Sequence, residues 1–438
     1  MIVEFSVQNF RSIKELQTIS FVATGLKSSD ECVEVDKNNI AEDGGMRLLK
    51  TIGIYGANGS GKSNIIMALE YFIRAISNEA SSESNLSSLC DFFLYQENAN
   101  ESESFFQITL IIENKKYRYG FTVKKNTRPK ENIDPQLKQS KELISSEWLF
   151  GTKENNVGEY FTRKGMEVAK EKLPNKDKIP SLPPYEHTLF LTHAAAFDQT
   201  GICATIRNFF KGWTISNYTR GFTGFRWNSL VVIEQENRKE DFLALLSSFN
   251  LKYKDISIER DPDKPGEDLI THDKIFLVKE SKNETNKVVD IKLNLRKNES
   301  AGTRKLFDIA GLVLRAFNMP VSVFVIIDEV DSNFHPALLI KLINLFNDPS
   351  INKNNSQLLF TSHDTNLMSP SIMRRDEFYF TEKREDNSTR LYSLADLKGI
   401  RNDADFAKQY LAGYYGATPV LEKYSNKTTE QNDGSLEY

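Results

Sequence analysis

Residues 48–77 hold the most constraining feature of the chain: a short, mainly apolar strand (48–55), an octapeptide rich in glycine, and a helical stretch from Asn64 to Ser77. The octapeptide, Gly56-Ala57-Asn58-Gly59-Ser60-Gly61-Lys62-Ser63, fits GxxxxGK[ST] in full. In a strand-loop-helix setting such a loop turns successive backbone N–H groups inward on phosphates. Lys62 then supplies a point charge to the β- and γ-phosphates, and the Ser63 hydroxyl is a ligand for Mg²⁺. A chain built around this unit is expected to be α/β.

A second run, Val323-Phe324-Val325-Ile326-Ile327-Asp328-Glu329, reads as a buried parallel strand with carboxylates at its C-terminal end. There Asp328 is placed to hold the Mg²⁺ shell, and Glu329 to polarise a water for in-line attack. Alone this is weak, because apolar strands often end in a carboxylate. Lys62 and Asp328 are too far apart for a compact P-loop kinase or AAA+ module, so a segment is inserted between them. A guanine-reading NKxD is absent: Asn175-Lys176-Asp177-Lys178 ends in Lys where the Asp belongs.

Between the halves, Glu299-Ser300-Ala301-Gly302-Thr303 opens a helix over 303–317 with an apolar face of Leu306, Ala310, Val313, Leu314 and Phe317. Ser300 and Gly302 at its N-terminus read alone as a plain N-cap, and in this position as an anion site. Asp331 and His335-Pro336 follow Glu329. A strand over 357–361 leads to Ser362-His363-Asp364, where His363 is placed to reach a γ-phosphate. His187, His193 and His272 have no motif context.

Together these motifs resemble the ABC class of AAA-family ATPases, akin to SMC-type repair heads, the RecF family and the overcoming-lysogenisation-defect ATPases. The segments are NFRSIKE, GANGSGKSN, ESAGTRKLF, FVIIDEVDSNFHP, TSHD and YLAGYYGATP. The resemblance implies an ABC-type P-loop ATPase head with a mixed sheet, an N-terminal antiparallel β-subdomain and an inserted helical lobe. It implies a homodimer, or a higher oligomer, in which ATP and Mg²⁺ are sandwiched between the P-loop of one subunit and the signature of the other. On that pattern Gly56, Asn58, Gly59, Ser60, Gly61, Lys62, Ser63 and Asn64 bind nucleotide with Ser300, Gly302 and Asp331. Ser63 and Asp328 hold the metal, and Lys62, Glu329 and His363 are catalytic. Gln96 is a candidate Q-loop residue, and Arg11 either approaches the nucleotide or faces solvent. The signature departs from LSGGQ, which leaves the speed of turnover open.

The corresponding division is 1–163, an ATPase half with the P-loop and β-subdomain; 164–260, an inserted connector and helical lobe; 261–421, the second half; and 422–438, a polar tail. Within it, 1–24 reads as a hairpin turning at residues 9–12, 28–46 as loop, 105–112 with 116–123 as a hairpin, and 164–184 as connector. Residues 187–250 read as helical, and 274–278 with 288–295 as paired strands.

The long coiled coils of SMC-type heads are missing, and the stretch after His363 is too short for the Toprim nuclease of the lysogenisation-defect relatives. A separate effector, a nuclease or toxin of Toprim type or another, is therefore expected. The leading expectation is a magnesium-dependent ATPase acting as sensor and switch for that effector in prokaryotic antiphage defence. A RecF- or SMC-like DNA clamp and a nucleotide-gated scaffold with little turnover are the alternatives. Nucleic acid is a candidate partner through residues 209–227, which combine seven aromatics and three basic residues with no acid. The same composition suits a packed lobe or a protein-facing surface.

Composition sets outer bounds. With 39% hydrophobic, 26% charged and 11% aromatic residues and a net charge of -4, the chain reads as an ordinary globular protein rather than a basic nucleic-acid coat. Three dispersed cysteines, Cys32, Cys90 and Cys203, suggest neither a zinc nor a redox site. No secretory signal or long apolar run is read, so a cytoplasmic protein without a membrane span is expected.

Overall fold

The computed structural model describes residues 1–97, 99–127, 141–153, 156–217, 224–259, 274–282, 284 and 286–419. Two sheets organise it, and the helix that follows the P-loop packs between them. The first has seven strands, all antiparallel to their neighbours, in the order Glu167–Ala169, Asn156–Lys164, Glu142–Lys153, Lys115–Lys125, Ser104–Ile112, Ile2–Gln8 and Gln17–Ser20. The second has six, in the order Thr214–Asn217, Phe324–Asp328, Gln357–Thr361, Thr51–Gly56, Phe378–Lys383 and Thr389–Ser393. Its neighbours are parallel except for the last pair, which is antiparallel, so the sheet is mixed.

The central parallel strands are buried along their whole length. Strands covered on both faces read as continuous apolar runs, which is why they were legible as such. In the antiparallel sheet the strand Lys115–Lys125 alternates at its start between exposed and buried positions.

Helix Lys62–Ser77 is apolar around most of its circumference because it faces both sheets. Phe72 stacks on Phe121 with centroids 5.2 Å apart and meets Phe5 edge-on at 5.6 Å. Helix Ala301–Asn318 separates two further cores. Ile309, Leu312 and Val313 join the core beneath the parallel sheet. Leu306, Phe307 and Ala310 join a smaller one with Phe242, Leu246 and Leu277.

The inserted region is not wholly helical. Helices Phe190–Phe197 and Ile202–Lys211 are followed by strand Thr214–Asn217, which docks beside the carboxylate strand, before helices Gly224–Leu230 and Lys239–Ser248. Four residues are too few for a period-two pattern to emerge from a helical context. Residues 28–46, expected as loop, hold helix Val33–Asn38 and most of a hairpin of Ile40–Asp43 with Met46–Leu49. Gly44 and Gly45, at φ of 55° and 75°, make its two-residue turn. The connector at 164–184 adds the edge strand Glu167–Ala169. The strand read over 48–55 is two strands that part at Lys50. Among the described residues no helix is long and apolar enough to cross a membrane.

Candidate functional site

The site lies where strands Thr51–Gly56, Phe324–Asp328 and Gln357–Thr361 end side by side, the position at which open parallel sheets bind ligands. Gly56 leaves its strand at φ 152°, and Gly61, at φ 110°, caps the following helix. A β-carbon at Gly56 would strike the Thr381 carbonyl and hydroxyl, and one at Gly61 the Thr389 side chain. The loop is therefore pressed onto the antiparallel end of the sheet. Ser60 Oγ lies 2.6 Å from Thr381 Oγ1, and the Thr389 hydroxyl donates to the Ser60 carbonyl at 2.9 Å.

Lys62 is buried, with Nζ donating to the Gly56 and Ala57 carbonyls at 2.8 and 3.1 Å. Burial lowers its pKa, while Asp328, Glu329 and Asp331 act in the opposite sense. Asn58 and Gly59 are exposed at the loop tip, and Ser63 is half-buried. The Asn64 amide donates to Ser12 Oγ at 2.6 Å, tying the helix to the N-terminal turn.

Asp328 is fully buried. Its Oδ1 accepts from the Thr361 hydroxyl at 2.6 Å, and its Oδ2 has no protein partner. An orphaned buried carboxylate oxygen is a hard donor of the kind that Mg²⁺ takes, and the Ser63 hydroxyl is a second oxygen of that kind. Asp331 repeats the pattern: Oδ2 accepts from the His363 backbone N–H at 3.2 Å, and Oδ1 is buried without a partner. Glu329, between them, has a left-handed backbone at φ 50°, and its N–H donates to Thr361 Oγ1 at 2.7 Å. His363 is exposed, yet partial desolvation lowers its pKa, aided by Lys62 and opposed by Asp331, Glu329 and Asp328. Lys62, the three carboxylates and His363 thus form one electrostatic cluster.

Ser300 caps helix Ala301–Asn318, its Oγ accepting from Thr303 N at 3.1 Å. Ser300 and Ala301 are exposed. Gly302 lies against the loop after Glu329, where a β-carbon would sit 2.7 Å from the Asn333 carbonyl.

Two residues of the site were not singled out from sequence. Thr361 bridges Asp328 and Glu329. Lys305 is buried, and its Nζ meets the carbonyls of Glu329, Val330 and Ser332 at 2.9, 3.0 and 2.9 Å and Ser332 Oγ at 2.7 Å. It also lies 5.0 Å from the Phe334 ring centroid, and burial pushes its pKa down to about 8. The available signal was a lysine in register with Ile309, Leu312 and Ala316 on the buried face of the helix.

Other candidates have structural partners. Arg11 pairs with Asp91 at 2.9 Å and donates to Met67 Sδ, and Gln96 donates to Asn9 Oδ1 at 2.8 Å. His187 and His193 bond the Ser81 and Pro180 carbonyls, His335 caps a helix, and His272 lies outside the described residues. Of the aromatic stretch, Phe210 and Trp213 are buried, and Trp213 packs on Phe324 at 4.9 Å. Those rings are core. Residues 218–223 lie outside the described residues.

A family model described as "AAA domain, putative AbiEii toxin, Type IV TA system" matches residues 52–369, from the P-loop strand to just beyond His363. No curated protein matches the chain. Two similar solved structures are titled "Structure of the recombination mediator protein RecF-ATP in RecFOR pathway" and "Structure of the recombination mediator protein RecF-ATPrS in RecFOR pathway". The first is 13% identical, with 90% of this chain and 99% of that chain covered at a TM-score of 0.33. The second is 14% identical, with 89% and 98% covered at 0.31. Likeness of this degree bears on neither activity nor partner.

Proposed function

The chain belongs to the AAA-domain family described as putative AbiEii toxin of a Type IV TA system, and from that premise we propose that it hydrolyses ATP at a composite site between two copies. The observation that carries this reading is the single cluster of Lys62, Asp328, Glu329, Asp331 and His363 at the ends of adjacent parallel strands.

In this reading the P-loop amides and Lys62 bind the phosphates, and Glu329 takes a proton from the attacking water. Ser63 and Asp328 would hold Mg²⁺, which when bound neutralises phosphate charge. The orphaned Asp328 oxygen supports that assignment. Desolvation and Lys62 lower the pKa of His363, which favours the neutral imidazole, and either form of the ring can donate a hydrogen bond to a terminal phosphate. The exposed N-terminus of helix Ala301–Asn318 supports a role for Ser300 and Gly302 on the nucleotide of a second copy. Residues 1–163 and 261–421 form the two halves of the head in this scheme, and 164–260 the inserted lobe.

The nucleotide cycle then acts as a switch on a separate effector, a nuclease or toxin, in antiphage defence. The family's toxin–antitoxin description supports that context. For the DNA-clamp alternative the aromatic stretch divides: Phe209, Phe210 and Trp213 pack on one another and Trp213 on Phe324, whereas Trp227 is 46% exposed.

Steady-state ATP turnover tests the reading. Lys62→Ala and chelation of Mg²⁺ should each abolish turnover, and Glu329→Gln should reduce it about a hundredfold while retaining ATP binding. Unchanged turnover in Lys62→Ala and Glu329→Gln would overturn it. Co-purification of an effector tests the switch.

A further inference from the structure

The backbone at Glu329 is in a conformation that non-glycine residues rarely adopt, and such strain persists only where neighbours over-determine it. Here both flanking peptides are held. Thr361 Oγ1 takes the Glu329 N–H, and the Glu329 carbonyl receives Lys305 Nζ at 2.9 Å and the Ser332 hydroxyl at 3.0 Å. Lys305 also reaches the Val330 and Ser332 carbonyls, so one ammonium gathers the turn that carries Glu329 and Asp331.

We propose that Lys305 is a positioning residue for Glu329, joining the helix that begins at Ser300 to the turn that presents the catalytic carboxylate. The inference rests on the hydrolytic reading above and adds a cause for the carboxylate's placement. Its consequence is mechanical. Ser300 and Gly302, which face a partner's nucleotide in that reading, and Glu329, which faces the protomer's own, belong to one cross-linked body. The close approach of Gly302 to the Asn333 carbonyl gives this body a second contact, independent of the lysine. A displacement of the helix by a partner's nucleotide would therefore be felt at Glu329, and misplacements of about 1 Å can cost about a hundredfold in rate.

The test measures kcat, KM and ATP affinity of the full chain carrying Lys305→Met, Lys305→Arg, Ser332→Ala or Glu329→Gln, and the Lys305→Met/Glu329→Gln pair. Lys305→Met should lower kcat about tenfold or more with ATP affinity within about threefold, and Lys305→Arg should recover most of the loss. Because Lys305 acts through Glu329, adding Lys305→Met to Glu329→Gln should slow single-turnover hydrolysis no further. A folded Lys305→Met protein with unchanged kcat overturns the proposal, as do losses that multiply in the double variant. Where Lys305→Met does not fold, Ser332→Ala decides: a lowered kcat at unchanged affinity supports the role, and an unchanged kcat overturns it. Full turnover in Glu329→Gln would instead overturn the hydrolytic reading itself, a result distinct from a silent Lys305→Met.

Discussion

The Thr361 hydroxyl donates to Asp328 Oδ1 at 2.6 Å, joining the last residues of two adjacent parallel strands. Thr361 Oγ1 also accepts the Glu329 N–H at 2.7 Å, so the hydroxyl both donates and accepts inside a buried site. Thr361→Val keeps the shape and orphans both groups. A loss of about 1–3 kcal/mol is expected, with a further fall in ATP turnover. Thr361→Ser should restore both, as read by thermal melts and turnover assays. A Thr361→Val protein with wild-type stability and turnover would show that the bridge has no role.

Gly302→Ala offers opposing effects whose balance the geometry decides. Alanine favours a helix by about 1 kcal/mol over glycine. Its β-carbon, however, would lie 2.7 Å from the Asn333 carbonyl, a backbone atom on the turn that carries Asp331. The expected outcome is a folded protein with reduced ATP turnover, measured against an exposed control such as Gly25→Ala, whose β-carbon meets nothing within 4 Å.

The P-loop turn, the carboxylate strand and the Ser300 helix cap were legible because each is a local pattern set by adjacent residues. Gly56 through Ser63 encode a loop conformation, and Phe324 to Asp328 a buried strand. Thr361 and Lys305 were not legible for the same reason. Thr361 matters through Asp328 and Glu329 on a neighbouring strand, a relation fixed only by strand order. Lys305 matters through carbonyls, which leave no trace in residue identity. The Thr214–Asn217 strand escaped because its pairing with Phe324–Asp328 outweighs its own weak pattern.

Beneath the P-loop strand, Glu377 is fully buried and accepts from Thr51 Oγ1, Asn39 Nδ2 and Arg374 N, at 2.5, 2.8 and 2.6 Å. Burial nevertheless pushes its pKa up to about 8, well above the ordinary glutamate range. The folded state therefore binds its proton more tightly, and this contribution to stability is complete below the unfolded value and declines as pH rises towards 8. Glu377→Gln should flatten that decline. Chemical denaturation of both proteins at pH 6 and 8.5 should show the variant gaining relative to wild type at the higher pH.

Arg163 and Glu147 form a buried pair at 3.4 Å where the antiparallel sheet meets the inserted helices. Glu147 also accepts from Phe190 N and Leu191 N at 2.6 and 2.9 Å, capping helix Phe190–Phe197. Arg163→Met leaves the carboxylate buried without its cation. A loss of about 3–5 kcal/mol is expected by denaturant titration, and Arg163→Met/Glu147→Gln should recover part of it.

The composite site is tested most directly by the solution mass of Glu329→Gln with and without nucleotide. Saturating ATP with Mg²⁺ should convert it to at least a dimer, ADP should not, and adding Ser300→Arg should prevent the conversion. A mass that is the same with ATP, with ADP and without nucleotide would contradict the account.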